Sequence, residues 1–230
     1  LPLPKQILAH GWWQKEGAKI SKSTGNIVDP VEVINEWGVD AFRYYVVREL
    51  AIGPDGNWTD AGFQARYNAE LANGLGNLLN RSLSMLQKYR GGKVPARHDE
   101  QAARAAEITR RLAEHLRDCS LQEGLKTIWE LVTELNVYIQ KTEPFRLAKD
   151  PAQATRLDAV LYNLAEGCRV LAVLLWPFLP SSAEKIYAQL NLSSRPDKLA
   201  AAAWGGLPEG HVCGAPQPLF PRKDLAKPAA

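Results

Sequence analysis

"TDAGFQARYNAELANGLGNLLNRSLSMLQKYR", Thr59 to Arg90, decides the fold of this chain. Leu75, Leu78, Leu79, Leu83 and Leu86 recur at three- and four-residue intervals, the period of a helix with one buried face. Asn73, Asn77 and Arg81 recur every four residues on another face, so their side chains form one polar ridge. Gly74 and Gly76 mark a weak point, and residues 60–90 are expected as one or two helices.

Downstream the helical pattern continues. Helices are expected over about 99–117 and 121–141, the second with the stripe Ile128, Leu131, Val132, Leu135 and Tyr138. "TEPFRLAKDP" breaks the chain, and a long buried helix from Leu157 to Leu175 stops before Pro177. Ser181/Ser182 open a short helix to about Leu190, and residues 192–230, rich in Ala, Gly and Pro, read as an irregular tail with little core of its own. Upstream, Gln6 to Trp13 reads as a strand leading into a turn at Glu16-Gly17. Asp29-Pro30 opens a helix that stops at Gly38, and a second helix spans about Asp40 to Glu49. The fold class is therefore mainly α: an antiparallel helix bundle preceded by a short mixed α/β segment. Trp12, Trp13, Trp37, Trp129 and Trp176 sit in apolar patterns and read as packing residues, whereas Trp58, in a turn, reads as partly exposed. His10, beside Gly11, reads as a structural histidine rather than a catalytic one.

Composition bounds the chemistry. The 230 residues are 46% hydrophobic, enough for a real core, and the formal net charge of +3 neither demands nor excludes a nucleic-acid partner. Between Lys88 and Arg117 basic residues outnumber acidic ones, which fits either a solvated face or a shallow anion-attracting flank. Cys119, Cys168 and Cys213 form no CxxC pair, so no metal site is expected and the chain fits a reducing, cytoplasmic setting. The apolar run Val170 to Leu179 is too short to span a bilayer, so no membrane partner is expected. The start, "LPLPKQILAH", reads as a continuation of something longer.

One stretch cannot bury a core. "AKISKSTGNIVDP", Ala18 to Pro30, places two lysines among small hydroxyl residues. Lys19 and Lys22 suit phosphate oxygens, Ser21 and Ser23 add donors, and Gly25 lets the backbone turn closely. Taken alone, two lysines in a Ser-rich loop read as a plain solvated loop.

With its continuation, "KISKSTGNIVDPVEVINEWGVDAFRYYVV", the stretch resembles the KMSKS signature and following helix pair of the class I aminoacyl-tRNA synthetases. Ile20 stands where Met is usual, a mild change in volume. "GPDGNWTDAGFQARYNAELANGLGNLLNR" resembles the methionyl-tRNA synthetases in particular, as do "NVYIQKTEPFRLAKD", "WPFLPSSAEKIYAQL" and "PLFPRK". The resemblance implies that Lys19, Ile20, Ser21, Lys22 and Ser23 form the loop that stabilises ATP (with Mg2+) and pyrophosphate during amino-acid activation, Lys19 and Lys22 carrying the charge. It also implies that Asn77 and Arg81 read the CAU anticodon of tRNA(Met), and that Phe145, where Trp is usual, is the platform on which a base stacks. Phe145 as a plug between helices is the competing reading. The implied division is 1–66 as the end of a catalytic domain with stem-contact helices, 67–191 as the helical anticodon-binding domain and 192–230 as tail. No HIGH-type run is present in these residues, so methionine and ATP activation is expected to need a further nucleotide-binding half, and the piece alone is expected to be inactive. The alternatives are a free-standing tRNA-binding helical module without ligase activity, a helical protein-interaction scaffold, which predicts an apolar exposed ridge, and another class I synthetase.

Overall fold

A computed structural model describes residues 3–4, 7–21, 23, 25–49 and 53–223. Lys22 and Gln6 therefore lie outside the described residues. The chain opens with a small three-stranded sheet of order β2-β1-β3. Strands β1 (Trp13–Lys15) and β2 (Ala18–Lys19) pair antiparallel across the Glu16-Gly17 turn, and β3 (Gly56–Trp58) lies parallel to β1. The expected strand thus begins only at Trp13. Between β2 and β3 run α1 (Pro30–Trp37) and α2 (Val39–Glu49). Asp29 starts α1 by accepting from the Val31 N–H at 2.8 Å, with Pro30 at the first helical position.

The aromatic side chains glue this segment together. Trp58 packs against Phe63 at 5.1 Å and Tyr45 at 4.8 Å between ring centres, and Trp37 meets Phe63 and Tyr67 edge-on. Two tryptophans are exchanged relative to expectation: Trp58 is only 3% exposed and Trp12 is 81% exposed. Trp58 is a strand residue, its indole N–H satisfied by Asp60 at 2.9 Å, so the turn composition around it misleads. His10 is exposed and, among the described residues, its ring bonds only its neighbour's carbonyl, so it holds no core together.

From Thr59 onward the chain is helical: α3 (Asp60–Arg66), a π-helical segment (Tyr67–Gly76), α4 (Asn77–Arg90), α5 (Ala102–Arg117), α6 (Leu121–Thr142), the single turn α7 (Pro144–Leu147), α8 (Ala154–Leu175) and α9 (Pro180–Gln189). The weak point at Gly74/Gly76 is thus not a break but a stretch whose turns are widened by one residue. Helix α8 runs through the centre of the bundle and is buried from Ala159 to Leu175. Helix α2 latches onto its far end: Arg43 donates to the carbonyls of Phe178 (2.7 Å) and Pro177 (2.9 Å), and Asp40 accepts from the Ser182 N–H at 2.5 Å, at the start of α9.

The tail is irregular but not coreless. Ala202, Leu207, Cys213 and Leu219 all enter the common core. Its anchor is Glu166, fully buried on α8, whose carboxylate accepts from the N–H groups of Gly205, Gly206 and Leu207 at 2.7–3.0 Å and from Arg169 at 2.6 and 2.9 Å. Arg169 also donates to the carbonyls of Ala201 and Ala203. A sequence pattern of apolar periodicity gives no sign of this clamp, because both charges sit inside the buried stretch.

Glu166→Ala leaves a buried guanidinium and three backbone N–H groups without their acceptor, and is expected to cost about 3–5 kcal/mol of stability in urea titration. A loss below about 1 kcal/mol would show that the tail docks without the clamp. The thiols give a second check. Burial pushes Cys168 up to about 12 and Cys213 up to about 11, while Cys119 is partly exposed. At pH 8, thiolate-selective labelling of the native chain is expected at Cys119, with Cys168 and Cys213 modified only after unfolding; peptide mass spectrometry reads out the order.

Candidate nucleic-acid interface

The polar ridge survives the change from π- to α-helical winding. Asn73 and Asn77 are exposed, Arg81 is half-buried, and all three line one open groove of about 770 Å³ between the π segment with α4 and helix α6. Among the described residues none of the three side chains has a hydrogen-bond or ion-pair partner. The opposite wall comes from α6, with Trp129, Asn136 and Gln140. Asn136 donates to the Gly74 carbonyl at 3.3 Å and so ties that wall to the ridge. A scaffold for protein partners would show an apolar ridge here, and it is polar.

The groove is held in shape by charge. Glu70, on the π segment, accepts from the Tyr44 hydroxyl and pairs with Arg66 at 2.8 Å and with Arg48 at 3.3 Å. Burial, then the Glu70 charge, push the Tyr44 phenol far above its usual range, so it remains a neutral donor. The Tyr44 ring packs on Trp129 at 4.5 Å. On the other side Arg104 makes charge-assisted bonds to Glu107, Glu130 and Glu134, and Arg111 joins Glu130 at 2.7 Å.

This network bears on the two readings of the basic stretch. Arg90, Arg97, Arg104, Arg110 and Arg111 each pair with a carboxylate, supplied by Asp158, Asp99 and the glutamates of α5 and α6, whereas Lys88, Lys93 and Arg117 have no carboxylate partner among the described residues. Within the groove, Arg48, Arg104 and Lys126 are likewise paired. Arg81 is the one groove cation without a carboxylate among the described residues. A planar fork left free beside two free amides suits the hydrogen-bonding edges of unpaired bases.

Phe145 is not a core plug. It stands 46% exposed on α7, just after Glu143 turns the chain in a left-handed conformation (φ 45°). It offers an aromatic face to solvent but does not line the groove.

The lysine loop lies beside the small sheet. Asn26 pins it by donating to the carbonyls of Lys15 and Lys19, both at 3.2 Å, and the Ser21 N–H closes it onto the Asn26 carbonyl at 3.0 Å. Gly25 sits at φ 70°, where glycine turns without strain. The hydroxyls of Ser21 and Ser23 share a hydrogen bond of 2.9 Å. Lys19 and Ser23 are exposed, Ile20 and Ser21 are half-buried, and among the described residues no carboxylate pairs with the Lys19 ammonium. Exposed cationic and hydroxyl groups on a pinned loop fit polyphosphate oxygens. No group of three or more metal-binding side chains occurs among the described residues, and no described helix is long and apolar enough to cross a membrane.

Two family models match the chain: class I tRNA synthetases (M) over residues 1–83, and the anticodon-binding domain of methionyl-tRNA ligase over residues 90–226. The chain belongs to the methionyl-tRNA ligase family. The methionine–tRNA ligase of Fusobacterium nucleatum is 40% identical over 99% of this chain, and that of Bacillus subtilis 41% identical over all of it. The chain spans 37% and 36% of those two proteins. The Mycobacterium tuberculosis methionyl-tRNA synthetase in complex with methionyl-adenylate superposes with a TM-score of 0.87 at 35% identity, covering 96% of this chain and 45% of that one. Its apo form superposes with a TM-score of 0.85 at 32% identity, covering 98% of this chain and 45% of that one. The chain thus joins a class I synthetase region to a methionyl-tRNA ligase anticodon-binding domain.

Sequence reasoning singled out Asn77 and Arg81, which line this groove, but missed the wall facing them. Asn136 and Gln140 repeat at four residues on the face of α6 next to the apolar stripe, which was their only signal. Glu70 carried only its i,i+4 spacing from Arg66, and Arg48 carried none, because the Glu70 contacts to Tyr44 and Arg48 cross from α2. Glu70→Gln keeps the shape of the side chain and removes its charge. It is expected to cost about 1–2 kcal/mol, the pairs being partly solvated, and to loosen the groove. The midpoint of urea unfolding checks the first, and hydrogen exchange at residues 67–77 the second; unchanged exchange there would separate Glu70 from the groove.

Proposed function

We propose that this chain reads the CAU anticodon of tRNA(Met) through the groove between the π segment with α4 and helix α6. The observation that carries the reading is the unpaired Asn77–Arg81 pair in a groove whose other cations are neutralised. Asn77 and Arg81 supply donors and acceptors to base edges, and Phe145 supplies a stacking face for a base. We divide the chain into residues 1–66, which belong with the catalytic domain, 67–191, the anticodon-binding domain, and 192–230, the tail.

In the whole ligase, methionine and ATP form methionyl-adenylate and the methionyl group passes to the tRNA. Here Lys19 and Lys22 hold phosphate oxygens of ATP with its Mg2+, Ser21 and Ser23 add hydroxyl donors, and Ile20 packs the loop. ATP supplies the activating phosphoanhydride when bound. The loop's part is to place positive charge where pyrophosphate leaves. The class I model covers only residues 1–83, so the chain by itself is expected to bind tRNA without activating methionine. Three free cysteines suit a cytoplasmic site of action.

The test is binding of the chain to an anticodon stem-loop bearing CAU, against a control with one anticodon base changed, at two salt concentrations. Preference for CAU that persists at higher salt is expected. Asn77→Ala and Arg81→Ala should each remove about 1–3 kcal/mol of it, and Phe145→Ala about 1–3 kcal/mol of affinity. Equal binding to both stem-loops, collapsing with salt, would leave only backbone electrostatics and sink the assignment.

A further inference from the structure

The lysine loop is closed by one side chain. Asn26 is half-buried, and its amide nitrogen donates to the carbonyls of Lys15 and Lys19, both at 3.2 Å, and of Ala18 at 3.4 Å. Its backbone carbonyl accepts from the Ser21 N–H at 3.0 Å. A single residue thus holds both strands of the β1–β2 hairpin and Ser21 beyond it. A second tie runs alongside, where the Lys15 ammonium donates to the Ile27 carbonyl at 2.8 Å.

The hairpin fixes Lys19 only weakly. Strand β2 is an exposed edge of 2 residues, paired with β1 at Gln14 with Lys19 and at Lys15 with Ala18. So short an edge contributes little order of its own. An ammonium on a flexible stem attracts an anion best when its backbone is already fixed, because ordering it on binding costs conformational entropy. The Lys19 side chain is exposed and has no carboxylate partner among the described residues. What places it is therefore the bond from Asn26 to its carbonyl. A primary amide suits that position, whereas an aspartate would set carboxylate oxygens against three carbonyl oxygens.

We propose that Asn26 is the positioning residue of the lysine loop. Its amide fixes the Lys19 backbone and its carbonyl the Ser21 backbone, so that the Lys19 ammonium and the Ser21 and Ser23 hydroxyls face a polyphosphate together. Asn26 touches no phosphate itself and acts through Lys19 and Ser21. This rests on the phosphate-binding role of the loop given under the proposed function, and adds what holds the loop ready.

The experiment titrates the 230-residue chain with inorganic pyrophosphate and Mg2+ at low salt, binding being read from the amide NMR signals of Lys19, Ser21 and Ser23. Lys19→Ala and Asn26→Ala are each expected to weaken binding about three- to tenfold. The double variant is expected to bind no more weakly than Lys19→Ala, the mark of a residue that acts through another. In Asn26→Ala, hydrogen exchange at the Ser21 N–H should quicken, while the urea midpoint and binding of the CAU stem-loop stay as in the unaltered chain. If Asn26→Ala binds pyrophosphate as the unaltered chain does, or loses as much affinity in the Lys19→Ala background as alone, Asn26 has no such role. A parallel fall in stem-loop binding would mark a general structural loss and overturn the proposal equally. If Lys19→Ala binds pyrophosphate as well as the unaltered chain, or if neither binds it, the phosphate-binding role of the loop fails, and this inference with it.

Discussion

The carboxylate of Glu70 is the constraint on which the interface depends. It gathers Tyr44 and Arg48 from α2 and Arg66 from the end of α3 onto one turn of the π segment. A π segment is a poor choice for stability alone, since its wider turns give weaker packing along the axis and such segments are normally single turns at functional sites. Ten residues of it are present here, and Glu70, Tyr67 and Asn68 tie it to α2 and to the tail. Helix α4, which carries Asn77 and Arg81, follows the segment without a break.

Charge is sorted in two ways across the molecule. Most arginines in α5 and its neighbours are consumed by carboxylates, and the strongest case, Arg104, has three of them. Among the described residues Arg81 and Lys19 have no carboxylate partner, one in the groove and one on the pinned loop. Paired cations shape walls and hold helices together; at this degree of exposure each pair contributes little stability of its own. Free cations keep their attraction for an incoming anion or base edge. A chain of slight net charge can therefore present localised affinity without a broad basic face.

Helix periods, caps and the stop signals were legible in the sequence because each depends on residues within a turn or two of one another. Asp29-Pro30 and the leucine series of 75–86 are such cases. Trp58 and Trp12 were not, since what buries Trp58 is Phe63, Tyr45 and the pairing of β3 with β1, all set by tertiary contact. Glu166 and Arg169 were hidden for the opposite reason: a charged pair three residues apart looks like a solvated helix face, and only a returning tail makes it a core clamp. Of the site, the ridge was visible as a four-residue repeat. The wall facing it, and the exposure of Phe145, required knowing how α6 packs and where Glu143 turns the chain.

Helix α2 connects the two kinds of site. Its first turn holds the α8–α9 corner through Asp40 and Arg43, its middle supplies Tyr44 and Arg48 to Glu70, and its aromatic Tyr45 packs on Trp58 beside the small sheet. Any rotation of α2 therefore moves the sheet that carries Lys19 and the groove that carries Arg81 together. Tyr44 contributes most to this rigidity: it is fully buried, its ring packs on Trp129 and its hydroxyl reaches Glu70. A smaller side chain at 44 would leave a cavity and take one of its three partners from the Glu70 carboxylate, so the position joins the packing of the core to the geometry of the interface in one residue.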